Sequence, residues 1–110
     1  MSTATIHGQA SFLLQTQEVE LAVTRTGGMV GPVTFFPKSD APIRRYAVAP
    51  WAEETVGDDT PPMLRALRGD WFCSAFGENS ERFAGKRLPP HGETANRDWS
   101  EIKRAETSAG

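Results

Sequence analysis

The sequence predicts an all-β protein, an antiparallel β-sandwich with long loops, on the basis of three observations. Residues 18–24, EVELAVT, alternate in polarity with a period of two, which is typical of a half-buried strand. Gly27-Gly28 separates this segment from a second strand-like run at residues 29–36, because paired glycines accept the backbone angles of a tight turn. No window of ten or more residues shows a sustained helical period.

Three early segments are expected to form an antiparallel meander with short connections, namely residues 10–14, 18–24 and 29–36. In the second segment Val19, Leu21 and Val23 form the apolar face. Pro32 lies in the third segment and has no backbone N–H to donate to a ladder. We therefore expect Pro32 at a sheet edge or at a β-bulge.

The rest of the chain has weaker signals. Residues 37–62 are rich in proline and acidic side chains and predict a loop region, with a short extended piece at 46–51. Residues 63–68 predict one helical turn or the start of a strand. The aromatic-rich run 70–76 predicts a buried strand, and residues 99–102 predict the beginning of another. Residues 78–90 are expected to be a polar loop, and the run from 103 onward a frayed tail.

Composition limits the classes of function. A chain of 110 residues is at most one domain and buries roughly 65% of the surface that it exposes when unfolded. Its 12 basic and 14 acidic residues are spread along the chain without a basic stripe, so no nucleic-acid partner is expected. Neither a membrane span nor a signal peptide is visible, and the single cysteine excludes an intrachain disulfide. These features favour a cytoplasmic protein with no membrane partner.

Few residues are suited to metal or nucleophilic chemistry. The two histidines, His7 and His91, and the lone Cys73 are too few to suggest a zinc site, and no phosphate loop or dinucleotide motif is present. No metal and no cofactor are therefore expected. Cys73 lies in an apolar run, where it is either a small buried hydrophobe or a nucleophile.

Two polar positions are candidates for a sugar site. Arg68 precedes a glycine, so its planar guanidinium can approach vicinal hydroxyl groups, although a surface arginine paired with Asp70 explains the same residues. His91 lies between Pro90 and Gly92 and, with an ordinary pKa near ~6.5, exchanges protons at neutral pH; a solvated loop histidine is an equal alternative. The tryptophans are sugar-stacking platforms or core residues: Trp51, Trp71 and Trp99.

Four segments together are similar to a known family. They are VELAVTRTGGMVGPVTF (19–35), YAVAPWAEE (46–54), LRGDWFCSAFG (67–77) and PPHGETANRDW (89–99). Their order and spacing resemble the N-terminal part of an aldose 1-epimerase, or galactose mutarotase-like, domain. The resemblance implies that residues 1–110 are a single partial domain, the N-terminal part of a galactose mutarotase-like β-supersandwich.

The resemblance also implies roles for individual residues. His91 resembles the first of two active-site histidines, and Arg68 resembles the substrate-binding arginine. Asn96 and Trp51 lie in matching segments and are further substrate-binding candidates. The implied activity is a cofactor-free isomerisation of sugar anomers, in which a carboxylate removes the proton of the anomeric hydroxyl and a histidine protonates the ring oxygen.

This chain departs from the family pattern in two respects. The family's second histidine and its glutamate base are expected beyond residue 110, so the chain alone is expected to be inactive. Glu93 and Ala95 stand where sugar-phosphate epimerases usually have an aromatic residue and an arginine. Two other functions stay open, a non-catalytic sugar-binding module and a small interaction domain. The expected partner is a small-molecule sugar, and open sheet edges make self-association possible.

Overall fold

The structure is a computed structural model that describes residues 3–108, and its main feature is one antiparallel sheet. The sheet has five strands, and each strand pairs with the next along the chain: β1 (Thr3–Ile6), β2 (Gln9–Gln15), β3 (Val19–Thr24), β4 (Val30–Phe35) and β5 (Ile43–Arg45). Two helices of five residues follow, α1 (Pro62–Ala66) and α2 (Gly92–Asn96). The prediction of a mostly β chain with little helix is confirmed, and residues 3–108 contain a single sheet.

The expected meander corresponds to β2, β3 and β4. Gly27 and Gly28 form the turn between β3 and β4 with φ angles of 80° and 57°, a region that side chains other than glycine rarely adopt. The backbone N–H of Thr24 donates to the carbonyl of Met29 at 2.8 Å, and the Thr24 hydroxyl accepts from the N–H of Met29 at 2.9 Å. The turn that the paired glycines predicted is therefore present. Strand β1 was not predicted.

Pro32 lies at a β-bulge. Leu21 pairs with Val33, but Val23 pairs with Val30, so one more residue separates the two pairing positions on β4 than on β3. Because β4 lies between β3 and β5, Pro32 is not on an edge strand. Of the two expectations for this proline, the bulge is the correct one.

The two faces of the sheet differ in how well they are covered. Val19, Leu21 and Val23 share a face, as the alternation predicted, but all three are only half-buried. On the opposite face the register partners Ser11 and Thr24 are 2% and 0% exposed. The larger apolar side chains of β3 therefore lie on the less covered face, which affects both ligand binding and association.

Residues 70–76 do not form the predicted buried strand. Asp70 makes an isolated bridge with Val30, but Phe72 is 60% exposed and Phe76 is 82% exposed. The carbonyl of Phe72 accepts a hydrogen bond from the hydroxyl of Thr94 at 2.8 Å. The prediction was wrong because an apolar composition does not supply a partner strand, and this segment bonds to α2 instead.

Residues 99–102 do not form a strand either. The N–H of Trp99 donates to the carbonyl of Arg25 at 2.7 Å, beside an isolated bridge between Thr26 and Asp98. These contacts bring the end of the described chain back to the β3–β4 turn. A small apolar core lies near this turn and the two helices: Met29, Met63, Ala66 and Ala95, with Leu67 and Trp71 packed against them. Within residues 3–108, no helix has the length and apolar character needed to cross a membrane.

Candidate functional site

An open polar cleft lies along α2 and the prolines that precede it, and we call it the α2 cleft. Its volume is about 420 Å³. It is lined by two arginines, two glutamates, one asparagine and three apolar residues: Arg87, Arg97, Glu78, Glu93, Asn96, Leu88, Pro89 and Pro90. Guanidinium and carboxylate groups are planar and bond two neighbouring polar atoms at once, so the cleft offers paired donors and acceptors to a polyhydroxylated ligand.

Asn96 lines the α2 cleft and connects the segments around it by hydrogen bonds. Its Nδ2 donates to the carbonyls of Pro90 at 2.7 Å and Gly92 at 2.9 Å, and its Oδ1 accepts from the N–H of Met63 at 3.2 Å. These bonds close the proline turn onto α2 and join α2 to α1. Asn96 thus lies in the cleft, but its amide already has protein partners at both ends.

His91 occupies the position before the first residue of α2 and is exposed. Its φ is 60°, in the left-handed region, which histidine enters more readily than most residues. Its ring meets Trp71 edge to face with centroids 5.5 Å apart, and its Nδ1 lies 3.9 Å from the Cys73 Sγ. Its Nε2 has no hydrogen-bond partner within residues 3–108. Trp71 and Cys73 therefore contact one side of the imidazole, and Nε2 stays available for a proton transfer.

A glycine contact brings Cys73 to His91. A Cβ added at Gly92 would collide with the carbonyl oxygens of Ser74 and Ala75, so only glycine permits this approach. The hydroxyl of Thr94 reinforces it by accepting from the N–H of Ser74 at 3.0 Å. Cys73 is partly buried beside an imidazole, so it is not the fully buried hydrophobe of the first expectation, and its role as a nucleophile stays a prediction.

Arg68 lies in the interior and is 2% exposed. Its NH1 donates to the carbonyls of Ala66 at 3.1 Å and Leu67 at 3.3 Å, and its NH2 donates to those of Ile6 at 2.9 Å and His7 at 3.3 Å. Burial lowers the pKa of the guanidinium, because desolvation disfavours the charged form. The alternative of a surface arginine is wrong. Arg68 is not among the residues that line the α2 cleft. Sugar binding by Arg68 stays a prediction, and it would require the hydrogen bonds from the guanidinium to the four backbone carbonyls to open.

Trp51 lies in a different depression from the α2 cleft. Its Nε1 donates to the carbonyl of Leu64 at 2.8 Å, and the depression is also lined by Glu53, Asp58 and Arg65. Of the four residues predicted for a sugar site, Asn96 lines the α2 cleft, and His91 lies at the start of α2 but is not among the lining residues. The structure places Arg68 in the interior and Trp51 in the other depression.

The charged residues of the α2 cleft were not predicted. Glu93 and Arg97 form an ion pair at 2.7 Å with the i, i+4 spacing of a helix, and this spacing is visible in the sequence once α2 is known. Arg87 and Glu78 come from the loop before α2, where the sequence shows only a polar run. The contact between Cys73 and His91 has no sequence signal, because the two residues are far apart in the chain.

Within residues 3–108, no group of three or more histidine, cysteine, aspartate or glutamate side chains is placed to hold a metal ion. No family model, no curated protein and no solved structure matches the chain. Its function therefore has to be argued from the chemistry of the site.

Proposed function

We propose that this chain binds a small sugar in the α2 cleft, as part of an aldose 1-epimerase-like protein. The observation that supports this most is the lining of the cleft, which combines two guanidinium groups and two carboxylates with apolar proline surface. Vicinal hydroxyls bond such planar groups in pairs, and the apolar patches of a sugar ring pack against proline. The volume of about 420 Å³ is sufficient for a monosaccharide.

His91 is the proposed acid of an anomer-interconverting isomerase. His91 does not itself line the cleft, but it directly follows Pro90, which does, and its Nε2 has no partner within residues 3–108. A protonated imidazole nitrogen of this kind can donate a proton to a sugar ring oxygen. A carboxylate base is also needed. In this proposal the base comes from outside residues 1–110, and the five-stranded sheet is one layer of a larger β-sandwich whose other layer leaves the face around Phe12, Leu14 and Val23 accessible.

A non-catalytic sugar-binding module is the second candidate, and a specific observation favours it. The groups in contact with the His91 ring are Trp71 and Cys73, and neither is a carboxylate base. Glu93, the nearest glutamate in sequence, is bonded to Arg97 instead. A protein with this set of groups binds a sugar without isomerising it.

A sugar titration followed by NMR tests the proposal. We expect α-galactose or α-glucose to shift the backbone amide resonances of residues 87–97, and Arg97→Ala to weaken this binding about tenfold, because charged hydrogen bonds are lost. Arg44→Ala, which removes an exposed arginine from β5, is the matched control and should leave binding unchanged. The proposal loses its basis if the sugars shift none of these resonances, or if Arg97→Ala binds the sugars as tightly as the wild type.

Polarimetry of freshly dissolved α-galactose separates the two candidates. We expect the 110-residue chain to leave mutarotation at its spontaneous rate, because the matched base is absent from it and each of the two catalytic groups contributes roughly 10²–10⁴-fold. Acceleration that His91→Ala abolishes would instead show a complete acid and base within this chain.

A further inference from the structure

A second cleft, distinct from the α2 cleft, lies on the less covered face of the sheet. Its volume is about 290 Å³, and it shares no lining residue with the α2 cleft. Phe12 and Leu14 of β2 and Val23 of β3 form its floor, and residues 99–105 form its wall. We call it the sheet cleft. Its floor is entirely apolar, which favours a ligand with an apolar body.

The aromatic wall of the sheet cleft is fixed by three contacts of Trp99. Its Nε1 donates to the carbonyl of Thr94 at 2.9 Å, and its backbone N–H donates to that of Arg25 at 2.7 Å. Its ring lies against Gly28, where an added Cβ would be 2.7 Å from the indole. Trp99 is nevertheless 39% exposed, so part of a rigidly held indole remains available for stacking.

The charges at the sheet cleft are not balanced. Arg104 bonds both carboxylate oxygens of Glu101, at 2.9 Å and 2.8 Å, and its NH1 donates to the carbonyl of Leu13. This pair is therefore neutral as a unit. Lys103 also lines the cleft, is exposed, and has no ion-pair partner within residues 3–108. The Lys103 ammonium therefore remains available to an anionic ligand group, and its long, flexible side chain can adjust to the position of that group.

We propose that the sheet cleft binds a small aromatic monocarboxylate. The ring of the ligand packs between the Trp99 indole and the side chains of Leu14 and Val23, and its carboxylate pairs with the Lys103 ammonium. A single negative charge complements the single unpaired cation, and a flat apolar body complements the aromatic wall. The small volume limits the ligand to about the size of two fused rings.

The experiment compares 1-naphthoate with the neutral alcohol 1-naphthalenemethanol in NMR titrations of the full chain. We expect naphthoate to shift the amides of residues 12–14 and 99–105 saturably and to bind more tightly than the alcohol. Lys103→Gln should weaken naphthoate binding about 1.5- to 5-fold, the range of an exposed ion pair, and leave the alcohol unaffected. Lys38→Gln, an exposed lysine that does not line the cleft, should change neither.

Leu14→Gln separates the apolar contribution from the charge. Leu14 is 43% exposed, so the variant should fold, and both probes should bind more weakly. The proposal is overturned if naphthoate gives no saturable shift, if its shifts fall elsewhere, or if acid and alcohol bind equally. It is also overturned if the amides of residues 99–105 shift with protein concentration alone, since a second copy of the chain would then cover the cleft.

Discussion

Arg68 is the residue whose role differs most between sequence and structure. Its guanidinium is desolvated, and its partners are backbone carbonyls from two segments, the turn after β1 and the end of α1. Burial lowers its folded-state pKa, so between this pKa and the unfolded value the unfolded chain binds more protons than the folded chain. The contribution of Arg68 to stability therefore rises with pH as pH passes upward through the folded-state pKa.

Arg68→Ala should lower the free energy of unfolding by about 2–4 kcal/mol, because it leaves buried carbonyls of both segments without donors. Arg68→Lys should recover only part of the loss, since an ammonium lacks the planar fork that reaches both segments. Arg45→Ala, which removes an exposed arginine, is the control and should stay within about 0.5 kcal/mol. Urea denaturation at neutral pH measures all three. Wild-type stability in Arg68→Ala would mean that the guanidinium is free to serve a ligand.

At the scale of elements, the strands and turns that depend on local sequence signals were predicted correctly. Strand β3 follows from alternation and strands β2 and β4 from short strand-like runs. The β3–β4 turn follows from Gly27-Gly28, and a bulge was one of the two expectations for Pro32. Residues 70–76 and 99–102 were assigned wrongly because a strand needs a partner, and their backbones pair with α2 and the β3–β4 turn instead. Helix α2 has five residues, which is too short to show a helical period.

Arg104 joins the segment 99–105 to the sheet by its bond to the carbonyl of Leu13, and its ion pair with Glu101 lies within the segment. The hydrogen bond from Arg104 lowers the pKa of Glu101, with the positive charge of Arg104 adding to the effect. A lowered carboxyl pKa stabilises the folded form above the ordinary value of 4.5, and this contribution is lost as pH falls through the folded-state pKa.

A ¹³C NMR titration of the Glu101 side-chain carboxyl should therefore give a midpoint below 4.5. Arg104→Gln should return the midpoint to about that value and loosen residues 100–105 at neutral pH, while the bond from Trp99 to Arg25 stays in place. Lys103→Gln removes a neighbouring positive charge without removing the hydrogen bond, and it should shift the midpoint far less. A wild-type midpoint at or above 4.5 would contradict the pairing.

At the scale of the whole molecule, the sequence predicted the residues of the candidate site less completely than the strands of the sheet. His91 and Asn96 are close in sequence and share one turn, so a local motif was enough to group them. Arg68 and Trp51 are placed by long-range packing, which spacing alone does not encode. The contact between Cys73 and His91 likewise depends on the approach of two loops at Gly92. The charged residues that line the α2 cleft can be grouped only after the position of helix α2 is known.

The open edges of the sheet lead to the last prediction, which concerns self-association. Within residues 3–108, β1 and β5 each pair on one side only. Strand β5 has three exposed residues, two of them arginines, and charged side chains on an edge oppose pairing with another chain. Strand β1, TATI, has no charge, and its Thr3 and Thr5 are exposed. We therefore propose that two copies pair through β1 as an antiparallel, two-fold symmetric dimer.

Light scattering should then give a mass that rises with concentration toward twice the 12.0 kDa of one chain. Thr5→Lys places a charge at the β1 edge, where like charges of the two copies would lie close together, so it should shift the equilibrium toward the monomer. Thr55→Lys adds the same charge in an exposed loop and should leave the mass unchanged. A monomer at every concentration would contradict edge pairing. Equal effects of the two lysines would show that net charge, and not the β1 edge, controls association.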